Sequence, residues 1–206
     1  MIKLKPVFII IFCSALTFGA HAQYLGVKGG LTLSNLNIDE VDDRNMRTGY
    51  HFGAYLNLPL GDAIAFQPEV NYTTKGTTAE YDVAFFQGEY SFNMNYVDVP
   101  LMGVLRLGDQ AELHLGPYIG YLAGASFSTE GDLGEGQEPV DRDEFNSLDF
   151  GLAAGVALNF NALQLGARYH YGLQQVADSE NAEALLGDAR HSYAQVYVAL
   201  RLGSFD

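Results

Sequence analysis

The sequence predicts an all-β fold, an eight-stranded antiparallel up-and-down transmembrane β-barrel. Three observations carry that reading. Apolar and polar residues alternate strictly over residues 64–73, where Ile64, Phe66, Pro68, Val70 and Tyr72 take one side and Ala65, Gln67, Glu69, Asn71 and Thr73 the other. Successive strand residues point to opposite faces, so this segment has one greasy face and one polar face. Such segments recur eight times, near 24–35, 48–58, 64–75, 90–107, 112–127, 147–160, 163–175 and 191–203. The connections between them alternate in kind. Residues 58–62, 108–111 and 159–162 are short turns rich in Gly, Asp and Asn, whereas 36–47, 76–89, 128–146 and 176–190 are longer and polar. Short turns at one end and long loops at the other describe an outer-membrane barrel with its turns, and both termini, on the periplasmic side.

The first 22 residues are read as a removable secretory signal. Lys3 and Lys5 supply the basic start, residues 7–18 are apolar, and Ala20-His21-Ala22 offers small residues for cleavage, so the mature domain is expected to be 23–206. The apolar run falls short of the 20 or so residues of a comfortable membrane helix. Cys13, the single cysteine, lies within this signal behind the bulky Phe12, which argues against lipidation. The mature chain then has neither disulfide nor thiolate chemistry. Its 25 acidic side chains face nine basic ones, which excludes a nucleic-acid partner. Mean hydropathy is close to zero. Barrels hide from hydropathy because half of each strand is polar, so a secreted soluble β-domain is the competing reading.

Element by element, the alternation holds. In the first segment Leu25, Val27, Leu31 and Leu33 oppose Lys28, Thr32 and Ser34. In the second, Tyr50, Phe52, Ala54, Leu56 and Leu58 oppose His51, Tyr55 and Asn57. The fifth sets Leu113, Leu115, Ile119 and Tyr121 against His114 and Tyr118, and the sixth sets Leu148, Phe150, Leu152, Val156 and Leu158 against Asp149 and Asn159. In the seventh, Leu163, Leu165, Tyr169, Tyr171 and Leu173 face away from Gln164, Arg168, His170 and Gln174. In the last, Val196, Val198, Leu200 and Leu202 face away from Tyr193, Gln195, Tyr197 and Arg201. The fourth segment breaks step. Tyr90, Phe92, Met94 and Tyr96 share one parity, and Val97, Val99, Leu101 and Leu105 the other, which predicts either a bulge near Tyr96 or a projection of 90–95 beyond the membrane. Aromatics at the loop-side ends (Tyr50, Tyr72, Tyr90, Phe92, Phe127, Tyr171, Tyr193) and near the turns (Phe66, Phe160) suggest two interfacial girdles.

Five strand motifs resemble the outer-membrane β-barrel (porin-like) family of Bacteroidetes, which includes the PorT-type secretion proteins. They are Gly26-Val27-Lys28-Gly29-Gly30-Leu31, Phe66-Gln67-Pro68-Glu69-Val70-Asn71-Tyr72, Tyr96-Val97-Asp98-Val99-Pro100-Leu101, Leu115-Gly116-Pro117-Tyr118 and Arg168-Tyr169-His170-Tyr171-Gly172. The resemblance runs over nearly all of 23–203. It implies export to the outer membrane, and leaves open a small-pore transport role or a part in type IX secretion.

The chemistry-bearing candidates point inward. By parity the barrel interior holds Lys28, Gln67, Glu69, Asp98, Arg106, His114, Asp149, Arg168, His170 and Arg201, joined by His51. Eight strands leave an interior only wide enough for side chains, and charges there must pair. The expectation is a structural network that plugs the lumen, with a gated narrow pore and cation binding by the acidic members as sharper alternatives. Catalysis would need a base beside a nucleophile. His170 with Asp149, and His191 with Ser192, are the nearest approximations, and no inward hydroxyl completes them, so no enzyme and no cofactor is expected. Acidic loop clusters at Asp39, Glu40, Asp42 and Asp43, and from Glu130 to Glu144, could hold a divalent cation but lack EF-hand spacing. The expected function is a non-enzymatic barrel displaying acidic loops, structural or ligand-binding. Its expected partners are membrane lipid and lipopolysaccharide, the barrel-assembly machinery during biogenesis and an unidentified extracellular or periplasmic partner, and it is expected to be a monomer.

Overall fold

The structure is a computed structural model that describes the backbone of residues 23–37, 47–83, 86–131, 136–139, 146–175 and 190–205, and the side chains of 23–34, 47–76, 93–126, 146–174 and 192–203. It contains β1 (Gln23–Asn37), β2 (Arg47–Pro59), β3 (Ile64–Val83), β4 (Phe86–Leu107), β5 (Ala111–Gly131), β6 (Gly136–Pro139), β7 (Leu148–Phe160), β8 (Leu163–Gln175) and β9 (Arg190–Phe205). The strands follow one another as β4–β3–β2–β1–β9–β8–β7–β5, and β4 pairs with β5 to close the ring. Every pairing is antiparallel. Eight strands thus form the predicted closed barrel, and the short β6 lies beside Ser126–Thr129 at the outer end of β5.

The alternation read from the sequence sets the two faces. Along β7, Asp149, Gly151, Ala153 and Ala157 are buried while Leu148, Phe150, Leu152, Val156 and Leu158 are exposed. The other strands repeat this pattern. The barrel exterior is a continuous apolar belt, with Leu115 65 %, Val196 60 % and Leu31 58 % exposed. Among the described residues the exposed charged side chains are Asp62 and Asp109, both in short turns. An apolar surface of this extent is not tolerated in water and is the surface a bilayer requires.

Turn chemistry closes the short ends. Asn161 adopts φ 53° in the two-residue turn from Phe160 to Leu163, a conformation Asn tolerates better than most residues. Gly108 at φ 70° serves the turn between β4 and β5. Inward glycines make room for large rings. Tyr55 lies over its cross-strand partner Gly26, Tyr197 over Gly166 and Tyr118 over Gly151, so that a methyl group at any of the three glycines would collide with the ring.

Two expectations are corrected. Residues 76–89 are not a loop over most of their length. The β3–β4 ladder continues from Gly76↔Asn93 to Val83↔Phe86, which makes β3, β4 and β5 20, 22 and 21 residues long against 13 for β2, β7 and β8. A membrane strand needs about 9–11 residues, so these three project beyond the barrel at the end opposite the short turns. Thr77, Thr78, Tyr81 and Val83 are good strand formers, which explains the extension. The second correction concerns the phase of β4. Its inward set runs unbroken through Met94, Tyr96, Asp98, Pro100, Met102 and Val104. The irregularity does fall between Asn95 and Tyr96, but the extra residue is Ala123 on β5, because Asn95 pairs with Gly124 and Tyr96 with Leu122. Accordingly β5 changes parity there, with Leu122 and then Ala125 facing in. The apolar run on β4 misled because Met94 and Tyr96 are interior residues.

Of the expected girdle, Tyr50 faces outward and packs with Tyr72 and with the neighbouring Phe52, with ring centroids 5.3–6.4 Å apart. Tyr193 does not belong to it and is 1 % exposed inside the barrel. The side chains of Tyr90, Phe92 and Phe127, residues 1–22 and the acidic cluster 39–43 lie outside the described residues, as do the side chains of the cluster from Glu130 to Glu144.

Candidate functional site

The interior holds two ionic clusters, stacked along the barrel. The first centres on Glu69 of β3. Arg168 of β8 grips it with two parallel hydrogen bonds, Nη1 to Oε2 at 2.9 Å and Nη2 to Oε1 at 3.0 Å. Lys28 of β1 donates to Oε2. Gln67 Nε2 and Asn71 Nδ2, two residues away on the same face of β3, donate at 2.9 and 3.1 Å. One carboxylate therefore collects five donor contacts from three strands, far apart in sequence. Paired, forked contacts of this kind are the strong form of charge-assisted bond.

The network extends toward the short turns. Arg168 Nη2 also lies 2.9 Å from His114 Nδ1, and His114 Nε2 lies 3.1 Å from Glu112 Oε2. A guanidinium cannot accept a hydrogen bond, so Nδ1 is the acceptor. His114 is then the neutral Nε2–H tautomer, donating to Glu112. That carboxylate also accepts from Asn159 at 3.0 Å and Gln164 at 2.9 Å, and Arg201 stands 3.6 Å away. On the other side of the lumen Arg106 Nη2 donates to Asn57 at 3.0 Å, Asn57 to Gln67 at 3.0 Å, and Gln67 to Glu69.

The second cluster sits nearer the loop end. Lys75 of β3 is fully buried and donates to Asp98 Oδ1 at 3.1 Å and Asp149 Oδ2 at 2.9 Å. Its ammonium also lies over three tyrosine rings, 4.4 Å from the centroid of Tyr96, 4.5 Å from Tyr193 and 5.3 Å from Tyr118. Tyr193 Oη donates to Asp98 at 3.4 Å and Tyr118 Oη to Asp149 at 3.3 Å. Between the clusters stands His170, 1 % exposed, stacked on Tyr193 at 4.3 Å and edge-on to Tyr118 at 5.2 Å, with neither ring nitrogen hydrogen-bonded.

Of the ten inward residues read from parity, Lys28, Gln67, Glu69, His114 and Arg168 fall in the first cluster, with Arg106 and Arg201 on its periphery. Asp98 and Asp149 fall in the second, and His170 lies between them. Parity reasoning stopped one step short at two places. Lys75 has the parity of Glu69, and Glu112 that of His114, so carrying the alternation to the last residue of the segment 64–75 and the first of 112–127 finds both. No pattern in one sequence announces that Tyr96, Tyr118 and Tyr193 converge on one ammonium.

The arrangement can bind and brace. Asp149 bonds Lys75 and Tyr118, so the imagined His170–Asp149 dyad is not formed. Among the described residues no group of three His, Cys, Asp or Glu side chains could hold a metal ion.

No curated protein matches the chain. Among solved structures it is similar to Ail, the attachment invasion locus protein of Yersinia pestis, in complex with the heparin analogue sucrose octasulfate, at 16 % identity over 88 % of this chain and 100 % of that one, with a TM-score of 0.49. It is similar also to Neisserial surface protein A, at 13 % identity over 89 % and 99 % of the two chains, with a TM-score of 0.48. The outer membrane protein OprG of Pseudomonas aeruginosa matches at 11 % identity over 89 % and 95 %, with a TM-score of 0.29. The sequence profile of the outer membrane protein β-barrel domain matches residues 21–178, which is most of the chain, and the protein belongs to that bacterial outer-membrane family.

Proposed function

We propose that this protein is a non-enzymatic outer-membrane barrel with a sealed lumen, a rigid frame that carries acidic loops at the cell surface in a structural or ligand-binding role. The observation that supports it is the Glu69 hub. Its contacts run from β1 and β8 to β3 across the lumen, and through His114 to β5. A pore that small cannot pass solutes without breaking buried charge pairs, which costs several kcal/mol. Bilayer recording on the refolded protein tests the reading. No stable conductance is expected, and large, stable single-channel steps would sink it.

Export with cleavage after Ala22 is part of the proposal, as are a monomeric state, contact with lipopolysaccharide and insertion by the barrel-assembly machinery. N-terminal sequencing of the membrane-extracted protein should begin at Gln23. The finer kinship with Bacteroidetes barrels, PorT included, rests on the five strand motifs. A deletion strain that secretes its cargo normally would exclude a secretion role.

A further inference from the structure

We propose that Asp98, Asp149, Tyr96, Tyr118 and Tyr193 form a recognition site for a primary alkylammonium group, and that Lys75 is its tethered occupant. A single buried lysine needs one carboxylate to be neutralised. Here two hold it, at 3.1 and 2.9 Å, and the second also offsets the one positive charge by which Lys28 and Arg168 exceed Glu69 in the neighbouring cluster. Each carboxylate is also held by its own tyrosine hydroxyl, which fixes the oxygens toward the ammonium. Three aromatic faces surround that ammonium within 4.4–5.3 Å. Convergent ring faces are how proteins recognise ammonium ligands, because the negative face of each ring attracts a desolvated cation.

An independent observation points the same way. His170 is buried against two of the three cage tyrosines, and both of its nitrogens lack a partner. Buried polar groups are ordinarily satisfied. The cage therefore offers more hydrogen-bonding capacity than Lys75 consumes, and two carboxylates to one ammonium. Met94 and Leu122, 0 % and 1 % exposed, add apolar surface to this part of the lumen. A short alkyl chain bearing an ammonium matches that lining, and it is what the lysine side chain itself supplies. In the wild type the tether gives Lys75 an effective concentration at or above the millimolar range, so a free amine does not displace it.

The test removes the tether and returns the ligand. Lys75→Ala deletes Cγ to Nζ, the atoms of n-propylammonium. The refolded variant is heated in detergent, and its midpoint is read from the mobility shift between folded and unfolded bands. K75A should melt below the wild type. n-Propylammonium chloride should recover at least half of the lost shift in a saturable manner, whereas equal sodium chloride or n-propanol should not. The wild type should not respond, and K75A/D98N/D149N, which has no negative cage, should gain nothing from the amine. If K75A does not refold alone, it is refolded with the amine. Folded protein obtained with n-propylammonium but not with sodium chloride supports the site. Failure in both, equal rescue by both salts, or equal rescue of the triple variant overturns it.

Discussion

Glu69→Ala is expected to be among the most damaging single substitutions in this barrel, for a reason that can be worked from its contacts. The carboxylate is the shared counter-ion of two buried cations, Lys28 and Arg168, whose side chains are each 1 % exposed. It also accepts from Gln67 and Asn71. Removing it leaves two positive charges facing one another out of water. Removing one partner of a buried pair costs about 3–5 kcal/mol, and here the loss touches two pairs, so the lower bound is about 3 kcal/mol. A whole domain holds about 5–15 kcal/mol, so E69A should retain a folded barrel with a much lower urea midpoint. Glu69→Gln should be damaged too, since its amide turns donors toward donors. The compensated variant K28M/E69L/R168M removes every charge together and should recover at least half of the lost stability, as apolar replacements of buried ion clusters do. The assay is equilibrium urea unfolding in lipid vesicles, followed by gel mobility and by tyrosine fluorescence, which is clean because the chain has no tryptophan. An E69A variant within about 1 kcal/mol of the wild type, below the range for a broken buried pair, would refute the claim that this network is a buried, water-excluded hub.

The other expectations follow from the two faces. Leu152→Arg, midway along β7 on the apolar belt and 52 % exposed, should cost about 2–4 kcal/mol in the same assay, whereas Leu107→Arg beside a short turn should cost about 0–1 kcal/mol. Equal effects at both would contradict the depth assigned to the belt. Gly166→Val places its Cβ 2.2 Å from Tyr197 Cζ and should lose about 1–3 kcal/mol by overpacking. Gly61→Ala, with nothing within 4 Å of the added atom, should be silent under thermal melting. A neutral G166V would show that the Tyr197 ring has somewhere else to go.

Much of the barrel was legible because its physics is local. Period-two patterning names the inward and outward face of each strand, and Gly108 and Asn161 mark the turns. What was not legible depends on pairing between strands. The extra residue that corrects the β4–β5 register is Ala123, on the strand whose own pattern looked regular, while the suspicion fell on Tyr96 across the ladder. Met94 and Tyr96 read as out of step because an interior is expected to be polar, yet this interior uses apolar and aromatic bulk to fill space around its charges. The extension of β3 and β4 was missed because Glu80, Asp82 and Glu89 make the segment look like a loop, and acidic residues are tolerated in a ladder that leaves the membrane. Lys75, at the very end of the segment 64–75, was left out of the inward set because the alternation was followed only to Thr73. The inward residues could be named one by one, but their division into a Glu69 hub and a Lys75 cage depends on contacts between residues up to 99 positions apart.

The central claim is a lumen closed by its own side chains, and thiol access tests it most directly. The sequence has one cysteine, Cys13, and a refolded barrel of residues 23–206 has none, so a single reporter can be placed at will. Ala153→Cys sits inside the barrel at a site 1 % exposed, packed with Met102, Tyr118 and Tyr193, and changes the volume little. Asp62→Cys in an exposed turn is the reference. With the refolded protein in vesicles and a small charged methanethiosulfonate on both sides, Asp62→Cys should react at once. Ala153→Cys should stay unmodified until the barrel is unfolded. Labelling of Ala153→Cys at a rate comparable to the turn site would mean that water and ions reach the middle of the lumen, and the sealed barrel would be wrong.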